Sequence, residues 1–147
     1  MISFRPVTDD DYEYVYALNK QTMQAHAERT YGPWNETIAR QIFAERWRPE
    51  SIQIVVIDGQ DGGMLEVIPI ETSIWLANIR VAREHQGKGI GTRLVSEVLR
   101  DAHGRGLPVS LRVLKVNPAR RLYERLGFVV VDENDTHHRM EARPPAP

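Results

Sequence analysis

The 147-residue sequence contains no cysteine, which excludes disulfides, thiolate metal ligands and cysteine nucleophiles. Lys and Arg number 19 against 20 Asp and Glu, so the formal net charge is -1 and the basic surplus typical of nucleic-acid-binding domains is missing. No apolar run is long enough to cross a bilayer, and the N-terminus has no secretory leader pattern. We therefore expect a cytoplasmic protein without a metal, a nucleic-acid partner or a membrane partner.

The chain is long enough for one domain with a proper core. We expect a single domain over residues 1–142. Residues 143–147 read Arg-Pro-Pro-Ala-Pro, and because proline cannot donate to a strand ladder, we expect a disordered tail there.

Hydrophobic periodicity predicts the element order β-α-α-β-β-β-α-β-α-β-β, which is an α/β (α+β) arrangement. Apolar runs at 52–57, 64–70 and 74–81 predict three successive strands, with a turn over residues 58–63 between the first two. Asn35 is a plausible cap for the second helix. Helical spacing of apolar residues over 94–102 predicts the helix that follows the third of these strands.

A glycine-rich run lies between a predicted strand and that helix. Three glycines within five residues leave backbone N–H groups unshielded, and the positive end of a helix dipole follows at once. The spacing predicts a phosphate-binding loop made of Gln86, Gly87, Lys88, Gly89, Ile90, Gly91 and Thr92.

Two common phosphate-binding motifs do not match this run. A P-loop needs GxxxxGK[ST], but Ala82 stands where its first glycine belongs and Gly89 follows Lys88. A dinucleotide fingerprint needs GxGxxG after the first strand and an acidic residue about 20 positions on, where this chain has Leu111.

The run does match Q/RxxGxG, and a second segment, Asn117 to Phe128, resembles NxxAxxxYxxxGF with the alanine slightly shifted. Together they resemble the GNAT superfamily of acyl-CoA-dependent N-acyltransferases, most strongly over 79–128. The resemblance implies the GNAT fold, with a mixed, mostly antiparallel sheet of six or seven strands and about four helices. It also implies acetyl-CoA as co-substrate, acetyl transfer to a primary amine in a direct ternary complex, and a possible homodimer.

The resemblance further implies roles for individual residues. Main-chain groups of Ile79 and Val81 would bind pantetheine, the Asn117 side chain would contact CoA, and Arg120 would reach its phosphates. Tyr123 would act as general acid toward the departing CoA thiolate. Alternatives from the residues themselves are a helix cap for Asn117 and a packed aromatic for Tyr123.

The general base and the acceptor site are less constrained. Glu66 is our first choice for the base, with Glu71 as an alternative, since both lie on or beside the strands that lead to the loop. Acceptor recognition is expected from Glu28, Tyr31 and Trp34, whose aromatic rings and acidic group suit an amine. The alternative for Trp34 is packing of the second helix against the core.

Two other functions remain open at this point. A non-catalytic CoA-binding or sensing domain would keep the loop and lose the chemistry, and an ATP-dependent enzyme would use the loop for a nucleotide. The acceptor itself, a small-molecule or peptide amine, is not identified by the sequence.

Overall fold

A computed structural model describes residues 1–146. Over that range the chain forms seven strands and four helices in the predicted order: β1 (Ile2–Pro6), α1 (Tyr12–Tyr31), α2 (Glu36–Glu45), β2 (Ile52–Ile57), β3 (Gln60–Ile70), β4 (Ser73–Val81), α3 (Ile90–Gly104), β5 (Val109–Leu114), α4 (Ala119–Arg125), β6 (Val129–Glu133) and β7 (His137–Ala142). The strands form one mixed sheet in the order β1-β2-β3-β4-β5-β7-β6. The predicted fold class is confirmed.

The chain divides into two compact units. The first, called the N-terminal unit here, comprises residues 1–66 and 78–86, and the second, called the C-terminal unit, comprises 67–77 and the chain from residue 87 onward. The prediction of a single domain over 1–142 therefore stays a prediction, and each unit is described by itself.

Antiparallel pairing joins β1 to β2 and β2 to β3 in the N-terminal unit. The β2–β3 turn is only two residues long, because Asp58 and Gly59 both adopt left-handed backbone conformations with φ of 50° and 84°. Such turns match the twist of the flanking strands. The predicted turn over 58–63 was therefore wrong: β3 already begins at Gln60.

The core of the N-terminal unit lies between α1 and the sheet. Asn35 caps α2 as predicted, because its side chain accepts a hydrogen bond from Ile38 N. Aromatic rings of α1 pack edge-on against Phe43 of α2 and against Trp47, which follows α2, at centroid distances near 5 Å. The buried apolar cluster comprises Val7, Val15, Leu18, Ile52, Ile54, Met64 and Ala82.

In the C-terminal unit, parallel pairing places Ile74 of β4 opposite Val109 of β5. Strand β7 pairs antiparallel with both β5 and β6, and the apolar face of α3 is buried. After β7, Arg143 Nε lies 2.8 Å from Glu141 Oε1. Of the tail predicted to be disordered, Pro147 lies outside the described residues.

Candidate active site

The glycine-rich loop has the backbone geometry that an anion site requires. Gly87 and Gly89 are left-handed, with φ of 77° and 76°, and Gly89 directly precedes α3. In the first backbone hydrogen bond of α3, Arg93 N donates to Gly89 O at 3.0 Å. The N–H groups of the first helical residues, from Ile90 to Thr92, therefore have no acceptor within the helix and point from its positive end.

The end of β4 belongs to the N-terminal unit and is held by side chains. The Gln86 amide Nε2 donates to the Val81 carbonyl at 2.9 Å. Arg80 Nη1 donates to the Ile79 carbonyl, also at 2.9 Å. These contacts order the backbone of the segment for which a pantetheine role is predicted.

The two sequence motifs of the C-terminal unit contact each other. A Cβ built on Gly91, in the first turn of α3, would lie 3.6 Å from Leu122 Cδ2 of α4. Asn117 Oδ1 accepts from Ala119 N at 2.9 Å, so this side chain caps the start of α4. Its predicted contact with CoA would be made in addition to that cap.

Tyr123 of α4 is only 8% exposed. Its ring packs edge-on against Phe128 with 5.7 Å between the centroids. The structure thus shows the packing role considered for this residue, while the general-acid role stays a prediction.

Arg120 of α4 lies beside a buried histidine. Its Nη1 is 2.9 Å from Nε2 of His138, and its Nε is 3.5 Å from Glu124 Oε1. Because a guanidinium only donates, Nε2 of His138 is the acceptor, and Nδ1 of the same ring lies 3.1 Å from Glu133 Oε2. Arg120 is therefore a fixed cation, and its predicted contact with the CoA phosphates is untested.

A cavity of about 430 Å³ lies within the N-terminal unit. It brings together three of the predicted residues, Tyr31 from the end of α1, Trp34 from the α1–α2 connection and Glu66 from β3. Most of the wall is apolar and comes from α1, α2, β2 and β3, whereas its charged side chains are those of Arg46, Glu66 and Arg80.

Glu28 does not lie where a counter-charge for the amine acceptor is expected. Its Oε2 accepts from the backbone N–H of Trp34 at 3.1 Å, and Glu28 is not among the cavity-lining residues. This contact fixes the connection between α1 and α2, so a direct role of Glu28 in acceptor binding has no support from its placement.

The same connection is also held by Glu36 at the start of α2. Its carboxylate accepts from Lys20 Nζ at 2.8 Å, from the Tyr16 hydroxyl at 2.7 Å and from Trp34 Nε1 at 2.8 Å. Hydrogen bonds from Lys20, Tyr16 and Trp34 lower the pKa of Glu36 to about 2. Trp34 is thus tied to the start of α2 and also lines the cavity, while its packing against the core stays a prediction.

Glu66 is the central polar group of the cavity and is only 1% exposed. Its Oε2 accepts from Ser51 Oγ at 2.6 Å and from Arg48 Nε at 3.2 Å. Its Oε1 accepts from Asn78 Nδ2 at 2.8 Å. These three donors compensate the burial of an ionised carboxylate.

Asn78 connects Glu66 to Arg80 in a fixed direction. Arg80 Nη2 donates to Asn78 Oδ1 at 2.9 Å, and Arg80 Nε donates to Asn19 Oδ1 at 3.1 Å. Because arginine only donates and an ionised carboxylate only accepts, the Asn78 amide has one favourable orientation.

Sequence reasoning missed the residues that surround Glu66, namely Arg48, Ser51 and Arg80. A signal was available in β4, where Asn78 and Arg80 are polar at alternate positions and the other residues after Ser73 are apolar, which places both on one face. The residues from the segment before β2 gave no comparable signal.

Residues 1–146 contain no group of three or more His, Cys, Asp and Glu side chains that could hold a metal ion. No helix in that range is both long and apolar enough to span a bilayer.

The family model described as "Acetyltransferase (GNAT) family" matches residues 19–128. No curated protein matches the chain. Among solved structures, the chain is similar to PaiA N-acetyltransferase from Thermoplasma acidophilum in complex with coenzyme A, with 20% identity, coverage of 97% of this chain and 99% of that one, and a TM-score of 0.75. It is also similar to the ribosomal-protein-S18-alanine N-acetyltransferase from Escherichia coli, with 20% identity, 100% and 97% coverage, and a TM-score of 0.70.

A third similar structure is Ard1 from Thermoplasma volcanium, with 17% identity, coverage of 99% of both chains and a TM-score of 0.67. At these identities the structural matches show a shared fold. The family model spans most of the chain and includes both motifs, from Gln86 and from Asn117. The chain belongs to the GNAT acetyltransferase family.

Proposed function

We propose that this protein transfers the acetyl group of acetyl-CoA to a primary amine in a direct ternary complex. The observation that carries the proposal is the left-handed pair Gly87 and Gly89 at the start of α3, within a chain that matches the acetyltransferase family over residues 19–128. The solved PaiA relative contains coenzyme A, which supports the same co-substrate here.

On the donor side, the N–H groups from Gly87 to Thr92 bind the CoA diphosphate. Lys88 and Arg120 add positive charge, and the Asn117 amide contributes a polar contact. The Gln86 side chain stabilises the loop entrance through its bond to Val81, and the main-chain groups of Ile79 and Val81 contact pantetheine.

The chemistry requires a neutral amine and a protonated leaving group. Tyr123 donates a proton to the CoA thiolate as the tetrahedral intermediate collapses. Glu66 takes a proton from the acceptor at Oε1. Because the Glu66 side chain is almost completely buried, the proton passes either directly at the cavity floor or through one water. The cavity that Tyr31 and Trp34 line takes the acceptor.

Titration calorimetry with acetyl-CoA tests the donor half. We expect saturable binding of acetyl-CoA and none of ATP or NAD. Gly89→Ala forces a side chain into the left-handed region, which costs roughly 1–2 kcal/mol. The loop of the variant should relax away from the conformation that binds the diphosphate, so acetyl-CoA affinity should fall about tenfold. Gly104→Ala is the matched control, because Gly104 lies in α3 with no left-handed φ and open space around its Cβ position. Absence of acetyl-CoA binding to the wild-type protein would refute the proposal.

A further inference from the structure

The cavity of the N-terminal unit has an excess of positive charge. Its charged lining consists of one carboxylate, Glu66, and two guanidinium groups, Arg46 and Arg80. Glu66 already accepts three hydrogen bonds from the protein. Arg46 is exposed at the end of α2. Among residues 1–146, no acidic side chain forms an ion pair with Arg46. Arg80 already donates to Asn19, Ile79 and Asn78, so Arg46 is the counter-charge that an anionic group on a ligand would find here.

Acidic groups near the cavity mouth are used within the protein. Glu28 binds the Trp34 backbone, and Glu36 binds Lys20, Tyr16 and Trp34. With these carboxylates occupied and two guanidinium groups in the lining, a polyamine or a lysine-rich peptide is a poor match.

The rim of the cavity is apolar despite its exposure. Tyr31, Ile38 and Ile42 are exposed large apolar side chains, and all three line the cavity. Burying such a surface against a ligand is favourable at roughly 25 cal/mol per Å² of apolar area. The acceptor should therefore carry an apolar or aromatic body.

The volume fits one small molecule. At about 430 Å³, the cavity lies in the lower part of the usual range for small-ligand sites, roughly 300–1,000 Å³. One amino-acid-sized ligand can fill it, with its amine toward Glu66, its carboxylate toward a guanidinium and its side chain against the apolar wall.

From these features we propose that the acceptor is a free amino acid with an apolar or aromatic side chain, recognised through its carboxylate by Arg46. This inference rests on the proposed acetyl transfer. The nitrogen of the α-amine attacks the thioester carbonyl, the C–S bond breaks, the amine proton leaves toward Glu66, and the CoA sulfur receives a proton, which yields an N-acetylamino acid and CoA.

The test compares phenylalanine with phenethylamine, which lacks only the carboxylate, and with the polyamine spermidine. Release of CoA thiol from acetyl-CoA is measured at several concentrations of each amine. We expect kcat/KM for phenylalanine to exceed that for phenethylamine at least about tenfold, as a charge-assisted pair in a partly enclosed site allows. Spermidine should be the poorest acceptor.

Arg46→Gln should reduce the preference for phenylalanine over phenethylamine about fivefold or more. Arg100→Gln is the matched control, because Arg100 is exposed on α3 and does not line the cavity, and it should leave the preference unchanged. Thermal melts of both variants verify that each is folded.

The outcomes separate the two proposals. Equal or better turnover of phenethylamine or spermidine overturns the amino-acid inference and leaves acetyl transfer intact, and so does an unchanged preference in Arg46→Gln. Thiol release with none of these amines overturns the inference as well. If a wider amine panel is also inactive, acetyl transfer itself is refuted.

Discussion

The contribution of the buried Glu66 carboxylate to stability can be tested by replacing the residue with its closest neutral analogue. Glu66→Gln keeps the shape of the side chain but exchanges one acceptor oxygen for an NH₂ donor. The glutamine oxygen must face Asn78, because Arg80 holds the Asn78 amide with Nδ2 toward position 66. The new NH₂ group then faces Ser51 Oγ and Arg48 Nε.

The magnitude of the effect follows from the three donors. Ser51 can adapt, since its hydroxyl also lies 3.0 Å from the Arg48 carbonyl, to which it can donate while it accepts from the glutamine. Arg48 Nε loses its acceptor, and the bond from Asn78 loses its charge assistance. Bonds to charged groups contribute about 1.5–3 kcal/mol and neutral ones about 0.5–1.5 kcal/mol. We therefore expect the free energy of unfolding to fall by about 1–3 kcal/mol.

Urea unfolding at pH 7 measures this change directly, and thermal melts should shift by about 2–4 °C for each kcal/mol. Glu50→Gln is the control, because it makes the same exchange at an exposed residue, where substitutions usually change stability by less than about 0.5 kcal/mol. If Glu66→Gln were as stable as Glu50→Gln, the argument that three donors hold an ionised Glu66 would be refuted.

Three further predictions concern other parts of the chain. Tyr123→Phe should keep acetyl-CoA affinity and lower kcat about 10²-fold or more as a general acid is lost, and an unchanged kcat would remove Tyr123 from the mechanism. Gly63→Ala should destabilise the protein by about 1–3 kcal/mol or more, because its Cβ would lie 2.5 Å from a backbone carbonyl oxygen of β4, whereas Gly62→Ala meets only side-chain atoms that can move; equal urea midpoints would contradict this. Hydrogen bonds from Arg5 lower the pKa of Asp11 to about 2, so this pair stabilises the fold above about pH 4 and loses that contribution as the pH falls toward 2. Asp11→Asn should therefore reduce the free energy of unfolding at pH 7 by about 1 kcal/mol or less. The variant should also lose less stability than the wild type between about pH 4 and 2, which unfolding at several pH values would reveal.

The backbone geometry of the glycine-rich loop was largely predictable from the sequence. Glycine spacing is a local property, and the left-handed Gly87 and Gly89 follow from the need for positive φ before α3. The cap at Asn35 is equally local. Signals of this kind depend on neighbouring residues in the chain, which the sequence displays directly.

The surroundings of Glu66 in the cavity were predictable only in part. Glu66 was chosen from its strand position, but its donors Arg48 and Ser51 lie 15 or more residues away in the chain, and only the folded sheet brings them together. The turn before β3 was predicted too long, because Gly62 and Gly63 are strand residues here. Position 63 requires glycine because β4 approaches it closely. Composition alone does not reveal this tertiary contact.

The central claim is the transfer of acetyl from acetyl-CoA to an amine, and CoA thiol release with an amine panel tests it most directly. The panel contains apolar amino acids, uncharged amines, a polyamine and a peptide with a free N-terminus, and mass spectrometry identifies the acetylated product. We predict saturable, amine-dependent thiol release with at least one member and a matching acetylated amine. Binding of acetyl-CoA without amine-dependent thiol release from any member would contradict the account and indicate a CoA-binding domain without catalysis.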